Sequence, residues 1–127
     1  MHNLAIALKL KGHDVSGSDD EIFEPAKTRL KEHGILPDQI GWNAGRISKD
    51  IDAIILGMHA GTDNPELSHA QKLKLNIYSF PEYIYLKAKE KTRIAIAGSH
   101  GKTTITSMVM HVMRKCNFDF DYMVGAL

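Results

Sequence analysis

Ile94-Ala95-Ile96-Ala97-Gly98-Ser99-His100-Gly101-Lys102-Thr103-Thr104 predicts an apolar strand, a tight glycine turn and the first residues of a helix. The helix is predicted because Ile105, Met108, Val109, Val112 and Met113 recur at three- and four-residue spacing. Strand, turn and helix in that order aim backbone N–H groups and a helix N-terminus at one point, which is how a phosphate is bound. There Lys102 reaches the outer phosphates as a point charge, and the Thr103 hydroxyl is placed to ligate Mg²⁺. The common eight-residue phosphate loop has a further glycine where this chain has Ile96, leaving a compact Gly-x-x-Gly-Lys-Thr-Thr. His100, inside the turn, either contacts a ligand or shapes the turn.

Working outward, strand-like and helix-like segments alternate along the chain. Leu4, Ala5, Ala7, Leu8 and Leu10 make one helical face, stopped by Gly12. His13 to Ser18 reads as a short strand running into the acidic turn Asp19-Asp20. Glu24-Pro25 opens a second helix, with Pro25 in its first turn and Gly34 as terminator. Residues 35–49 read as a short strand and loops, in which Trp42 is a packing residue or a substrate platform. Asp52 to Gly57 predicts a strand covered on both faces. Asn64-Pro65 then starts a helix bearing Leu67, Ala70 and Leu73, with Asn64 as its cap. Ile77-Tyr78 is a further strand, and Ser79 with Glu82 forms a capping-box pattern before a helix to Lys87.

This alternation predicts an α/β fold with a parallel sheet. Right-handed crossovers then put the turns at Ser18-Asp19, Met58-His59 and Ser99-His100 at the carboxyl ends of strands, where open α/β sheets bind ligands. Ser16 to Asp19 caps the next helix or holds a ligand's hydroxyls and phosphates; His59 is a candidate base. His33, His69 and His111 read as surface or packing residues, and the histidines have no metal-site spacing. The polar stretch 87–93 is the expected domain joint. The first helix follows no strand, and Tyr122 to Leu127 is an apolar run without a closing turn, so a fragment of a longer protein is expected.

Composition narrows the classes. A length of 127 residues with 24% charged residues and a formal net charge of +1 suits an ordinary globular chain, with no basic stripe for nucleic acid or membrane surfaces. No apolar run nears the roughly 20 residues that span a bilayer. The single cysteine, Cys116, excludes an intrachain disulfide, and the N-terminus has no signal-peptide pattern. A cytoplasmic protein is the expectation.

Gly98 to Thr104 resembles the ATP loop of the Mur ligases of peptidoglycan synthesis. Ser16-Gly-Ser-Asp19 and Asp63-Asn-Pro-Glu66 resemble the uridine-nucleotide-binding domain of the branch acting on UDP-N-acetylmuramate. Asp19 to Pro25, Ile55 to Ala60 and Gly98 to Met108 are similar to the enzymes that attach a recycled tripeptide, L-Ala-γ-D-Glu-meso-diaminopimelate; L-alanine addition is the alternative. The resemblance implies a Rossmann-like UDP-binding domain over residues 1–89, lacking its first strand. Residues 90–127 would begin a P-loop ATPase domain. It implies ATP and Mg²⁺ as cofactors, and amide formation through an acyl phosphate of the lactyl carboxylate. Gly98, Ser99, His100, Gly101, Lys102, Thr103 and Thr104 would bind ATP, Lys102 would stabilise the transferring phosphoryl group, and Thr103 would hold the metal. Ser18, Asp19, His59 and Asn64 would bind the uridine diphosphate. The fragment by itself is expected to be inactive. The rival from another class is a non-catalytic module that binds a UDP-sugar.

Overall fold

The computed structural model describes residues 1–57, 60, 61 and 63–125. The chain falls into two compact units, Met1–Lys89 and Glu90–Leu127. In the first, the order is α1 (His2–Leu10), α2 (Ala26–Glu32), a 3₁₀ turn η1 (Ala44–Arg46), β1 (Ile54–Leu56), α3 (Pro65–Lys72), β2 (Ile77–Ser79) and α4 (Phe80–Ala88). The second unit holds α5 (Lys102–Lys115).

The helices stop where backbone chemistry tells them to. After α2, Gly34 takes φ +66°, its N–H donates to Lys31 O at 3.0 Å, and the Ile35 N–H donates to Leu30 O at 3.0 Å. That closure needs a left-handed residue, which glycine adopts without a Cβ penalty. It also folds Ile35 back onto Leu30, and with Ile6 of α1 these two form the buried core of this end of the unit. Ala5, Val15, Ile22 and Leu36 pack around it.

The other end of the unit is a small α/β layer. β1 and β2 pair in parallel, Ile54 against Ile77 and Leu56 against Ser79, with α3 as the crossover between them. α4 packs on both strands and buries Tyr83, whose ring centroid lies 5.9 Å from that of Tyr78. The expected capping box is present: the Ser79 hydroxyl accepts from Glu82 N–H, and the Glu82 carboxylate accepts from Ser79 N–H, each at 3.3 Å.

The α/β expectation therefore holds on a smaller scale, with a two-stranded sheet among the described residues. Residues 13–18, 35–41, 94–97 and 122–125 form no strand. A strand exists only where a neighbour takes up its N–H and C=O groups, and an apolar run alone does not supply that neighbour. Ile94 is 66% exposed and Ile96 half-buried, and among the described residues no strand pairs with the run before the glycine turn. The boundary of α2 also moves: Pro25 caps the helix instead of entering its first turn.

In the second unit, α5 carries its predicted apolar stripe in the open, with Ile105, Met108 and Val112 between 48% and 62% exposed. Asn117, at φ +55°, ends it by the same closure used after α2, the Phe118 N–H donating to Met113 O at 3.0 Å. Lys91 Nζ pairs with Asp121 Oδ2 at 3.0 Å. Among the described residues, no helix is long and apolar enough to cross a membrane.

Candidate functional site

The glycine turn of the second unit is built by backbone conformations that side chains rarely adopt. Gly98 has φ +151° and Gly101 has φ +75°. Gly101 is the N-cap of α5; having no side chain, it leaves the first N–H groups of the helix uncapped. Lys102 is the first helical residue. Its Nζ lies back across the turn, donating to Gly98 O at 2.7 Å and Ser99 O at 3.2 Å. The first turn of α5 contains no acidic residue. Free N–H groups, the positive helix end and one ammonium thus converge with no opposing carboxylate in that turn, an electrostatic preference for an anion.

Ser99, His100, Thr103 and Thr104 are all exposed around this turn. Thr103 and Lys102 use their carbonyls as acceptors for Ser107 Oγ at 2.9 Å and Thr106 Oγ1 at 2.8 Å. These bonds run along the helix and leave the Thr103 hydroxyl out of them. Among the described residues no group of three or more His, Cys, Asp or Glu could hold a metal ion. The donor set here suits phosphate, with Thr103 as a single hydroxyl donor toward a cation that phosphate oxygens would also bind.

In the first unit, three distant segments meet at the N-terminus of α3. Asn64 is its cap and is buried, its side-chain oxygen accepting from Glu66 N–H at 2.8 Å and Leu67 N–H at 3.2 Å. Glu66 Oε1 in turn accepts from Ser18 Oγ at 2.8 Å and from Asn43 N–H at 2.8 Å. Arg46 Nη1 donates to Ser18 Oγ at 3.0 Å, and its Nη2 donates to Gln39 O at 3.0 Å. The Asp19 carbonyl accepts from Gly41 N–H at 2.8 Å. Asp19 Oδ1 accepts from Asp20 N–H at 3.0 Å. Partial burial, and then the neighbouring Asp20, push the Asp19 carboxyl above its ordinary value of 3.8. Beside the turn, a shallow groove of about 380 Å³ runs between residues 15–17 and 34–38, with Arg46 at its edge.

Of the residues singled out by sequence, Ser18, Asp19 and Asn64 therefore share one neighbourhood. His59 lies outside the described residues. Either role left open for residues 16–19 required polar side chains; in the fold Ser18 ties the turn to α3, while the side chain that accepts from the first turn of α2 is Glu24, from Thr28 N–H at 3.2 Å. Arg46, Asn43 and Gly41 carried no motif that marked them. Glu66 did stand in the Asp63 to Glu66 stretch, but as part of a resemblance and without a role of its own.

No family model matches the chain. Curated relatives align with it from end to end, and they are Mur ligases, ATP-dependent carbon–nitrogen ligases. The chain is 39% identical over 128 residues to the UDP-N-acetylmuramate–L-alanine ligase of Caldicellulosiruptor bescii, covering 99% of this chain and 27% of that protein. The enzyme of the same name from Carboxydothermus hydrogenoformans is 37% identical over 125 residues, covering 98% of this chain and 26% of that protein. The UDP-N-acetylmuramate–L-alanyl-γ-D-glutamyl-meso-2,6-diaminoheptandioate ligase of Escherichia coli K12 is 27% identical over 128 residues, covering 100% of this chain and 28% of that protein. The chain thus spans about a quarter of the length of the curated relatives it matches.

Proposed function

With Mur ligases as its homologues from end to end, we propose that this chain is the nucleotide-binding segment of an ATP-dependent ligase that joins UDP-N-acetylmuramate to an amine. The observation that carries the reading is the glycine turn at the head of α5, with two positive-φ glycines and Lys102 and no acid in the helix's first turn. In this reading residues 90–127 open the ATP-binding domain and residues 1–89 hold the uridine nucleotide.

ATP supplies the phosphoryl group that activates the lactyl carboxylate of UDP-N-acetylmuramate. Gly98 to Thr104 would hold its phosphates through backbone N–H groups. Lys102 would leave the carbonyls of Gly98 and Ser99 for a phosphate oxygen, a stronger acceptor because it is charged. Thr103 would offer its hydroxyl to Mg²⁺. Ser18, Asp19, His59 and Asn64 would line the uridine diphosphate site. The chain's contribution is positioning and charge neutralisation.

For the amine, the 37–39% identities lie with enzymes named for L-alanine, and the 27% identity with one named for the tripeptide. L-Alanine is the first reading. The tripeptide is the second, favoured by the wording of Asp19 to Pro25 and Ile55 to Ala60. The test is ADP release by the intact protein given ATP, Mg²⁺, UDP-N-acetylmuramate and either amine. Release with L-alanine alone selects the first, and release with the tripeptide alone selects the second. Nucleotide binding without ADP release under either condition would indicate a non-catalytic module and overturn the ligase reading.

A further inference from the structure

Arg46 belongs to no motif of phosphate or nucleotide chemistry, and Glu66 stands in the Asp63 to Glu66 stretch with no role assigned to it, yet both spend their side chains on the turn at Ser18. Glu66 Oε1 accepts a hydrogen bond from the Ser18 hydroxyl at 2.8 Å, while Arg46 Nη1 donates to Ser18 Oγ at 3.0 Å. A hydroxyl has one proton to give, and here its direction is set by an acceptor on one side and a donor on the other. The two partners come from segments 48 and 28 residues away in sequence. Glu66 also holds Asn43 N–H at 2.8 Å, and Arg46 holds Gln39 O at 3.0 Å and Gly41 O at 3.4 Å. Gly41 N–H then returns to the Asp19 carbonyl at 2.8 Å. Residues 18–19, residues 39–46 and the first turn of α3 are thereby stapled into one loop cluster.

We propose that Arg46 and Glu66 are positioning residues for the uridine-nucleotide site: they hold the Ser16 to Asp19 turn against the N-terminus of α3, so that Ser18 and Asp19 meet the nucleotide already in place. This rests on the assignment of Ser18 and Asp19 to that site made above. Neither residue needs to touch the ligand. A turn ordered in advance spares the ligand the entropy of ordering it, and that saving appears as affinity. Phosphoryl transfer, which depends on the Gly98 to Thr104 turn, is left alone.

The test uses the intact ligase with Glu66→Ala, Arg46→Met and the conservative Glu66→Gln, which keeps an acceptor at Oε1. For the first two, KM for UDP-N-acetylmuramate rises by about tenfold, while kcat and KM for ATP stay within about twofold of wild type. Glu66→Gln restores KM to within about threefold. In parallel, amide exchange at Asn43 and Gly41 accelerates in Glu66→Ala, while the Leu75 amide, which closes α3 on Ala70 O at 3.1 Å, keeps its protection. Unchanged KM for the uridine nucleotide, or a parallel rise in both KM values, overturns the proposal. So does wild-type exchange at Asn43 and Gly41 in Glu66→Ala. A wild-type protein that does not act on UDP-N-acetylmuramate overturns the functional reading instead, and the exchange measurement then decides the staple alone.

Discussion

Removing the Asn64 side chain should cost this protein more than its small size suggests. Its oxygen accepts from two N–H groups at the start of α3, Glu66 at 2.8 Å and Leu67 at 3.2 Å, and the residue is only 8% exposed. Ala at this position leaves both donors without a partner where water enters poorly. Each such bond contributes about 1 kcal/mol net. Cap deletions span about 0.5–2 kcal/mol, and burial places this one at about 1.5–2 kcal/mol. Asn64→Asp keeps an acceptor and adds a charge the helix end favours, against nearby Asp63 and Glu66, so its change stays within about 0.5 kcal/mol. Urea unfolding of the intact protein followed by circular dichroism measures both. Because Glu66 sits in the turn that Asn64 caps, Asn64→Ala and Glu66→Ala should also be coupled, with a double-mutant term of about 0.5 kcal/mol or more. A loss below about 0.5 kcal/mol for Asn64→Ala, or the same loss for Asn64→Asp, refutes the cap as the source of the stability.

Lys102→Ala removes the one ammonium at the glycine turn, and ATP-dependent product formation by the intact ligase should fall at least about 100-fold; because Lys102 is exposed, the thermal midpoint should barely move, and retained activity would reject its role. Gly101→Ala places a methyl in open space but at φ +75°, a backbone cost of about 1–2 kcal/mol, whereas Gly17→Ala meets open space with no positive φ. KM for ATP should therefore rise in the first and hold in the second, and equal effects would count against the turn geometry. Asp19 carries a raised carboxyl pKa, so the folded state binds its proton more tightly than the unfolded state does. Stability from this group is present below 3.8 and is lost as pH rises through the raised value, so Asp19→Asn should flatten the fall in thermal midpoint over that window. A steeper fall in the variant would reverse the assigned sign.

Much of the helical content could be read from the residues because its signals are local. Ser79 and Glu82 cap each other across three residues, Gly12 and Gly34 stop helices one residue after their last turn, and Asn64 caps the helix that Pro65 begins. The two paired strands were legible for a different reason: Ile54 to Leu56 and Ile77 to Ser79 flank a short crossover helix, so their partners lie close by in sequence. The mainly polar segment 13–18 and the apolar run 94–97 show where such reading fails. Residues 94–97 have the composition of a strand and 13–18 have Val15 alone to suggest one, but pairing belongs to the neighbour, and no strand pairs with either among the described residues.

The same division separates the two candidate sites. The glycine turn needs only seven consecutive residues and their backbone, so its chemistry was visible before any fold was known. The cluster at α3 is assembled from Ser18, residues 39–46 and Asn64 to Glu66, and its organising residue Arg46 lies in a stretch that reads only as loop. A motif can reveal groups that act through their own local geometry; it cannot reveal a side chain whose role is to hold another segment in place. The kinetic consequences should divide in the same way. Changes at Lys102 strike the reaction, while changes at Arg46 or Glu66 strike affinity for one substrate and spare the other. That division is what makes KM for the uridine nucleotide, rather than kcat, the quantity that reports on the residues the sequence concealed.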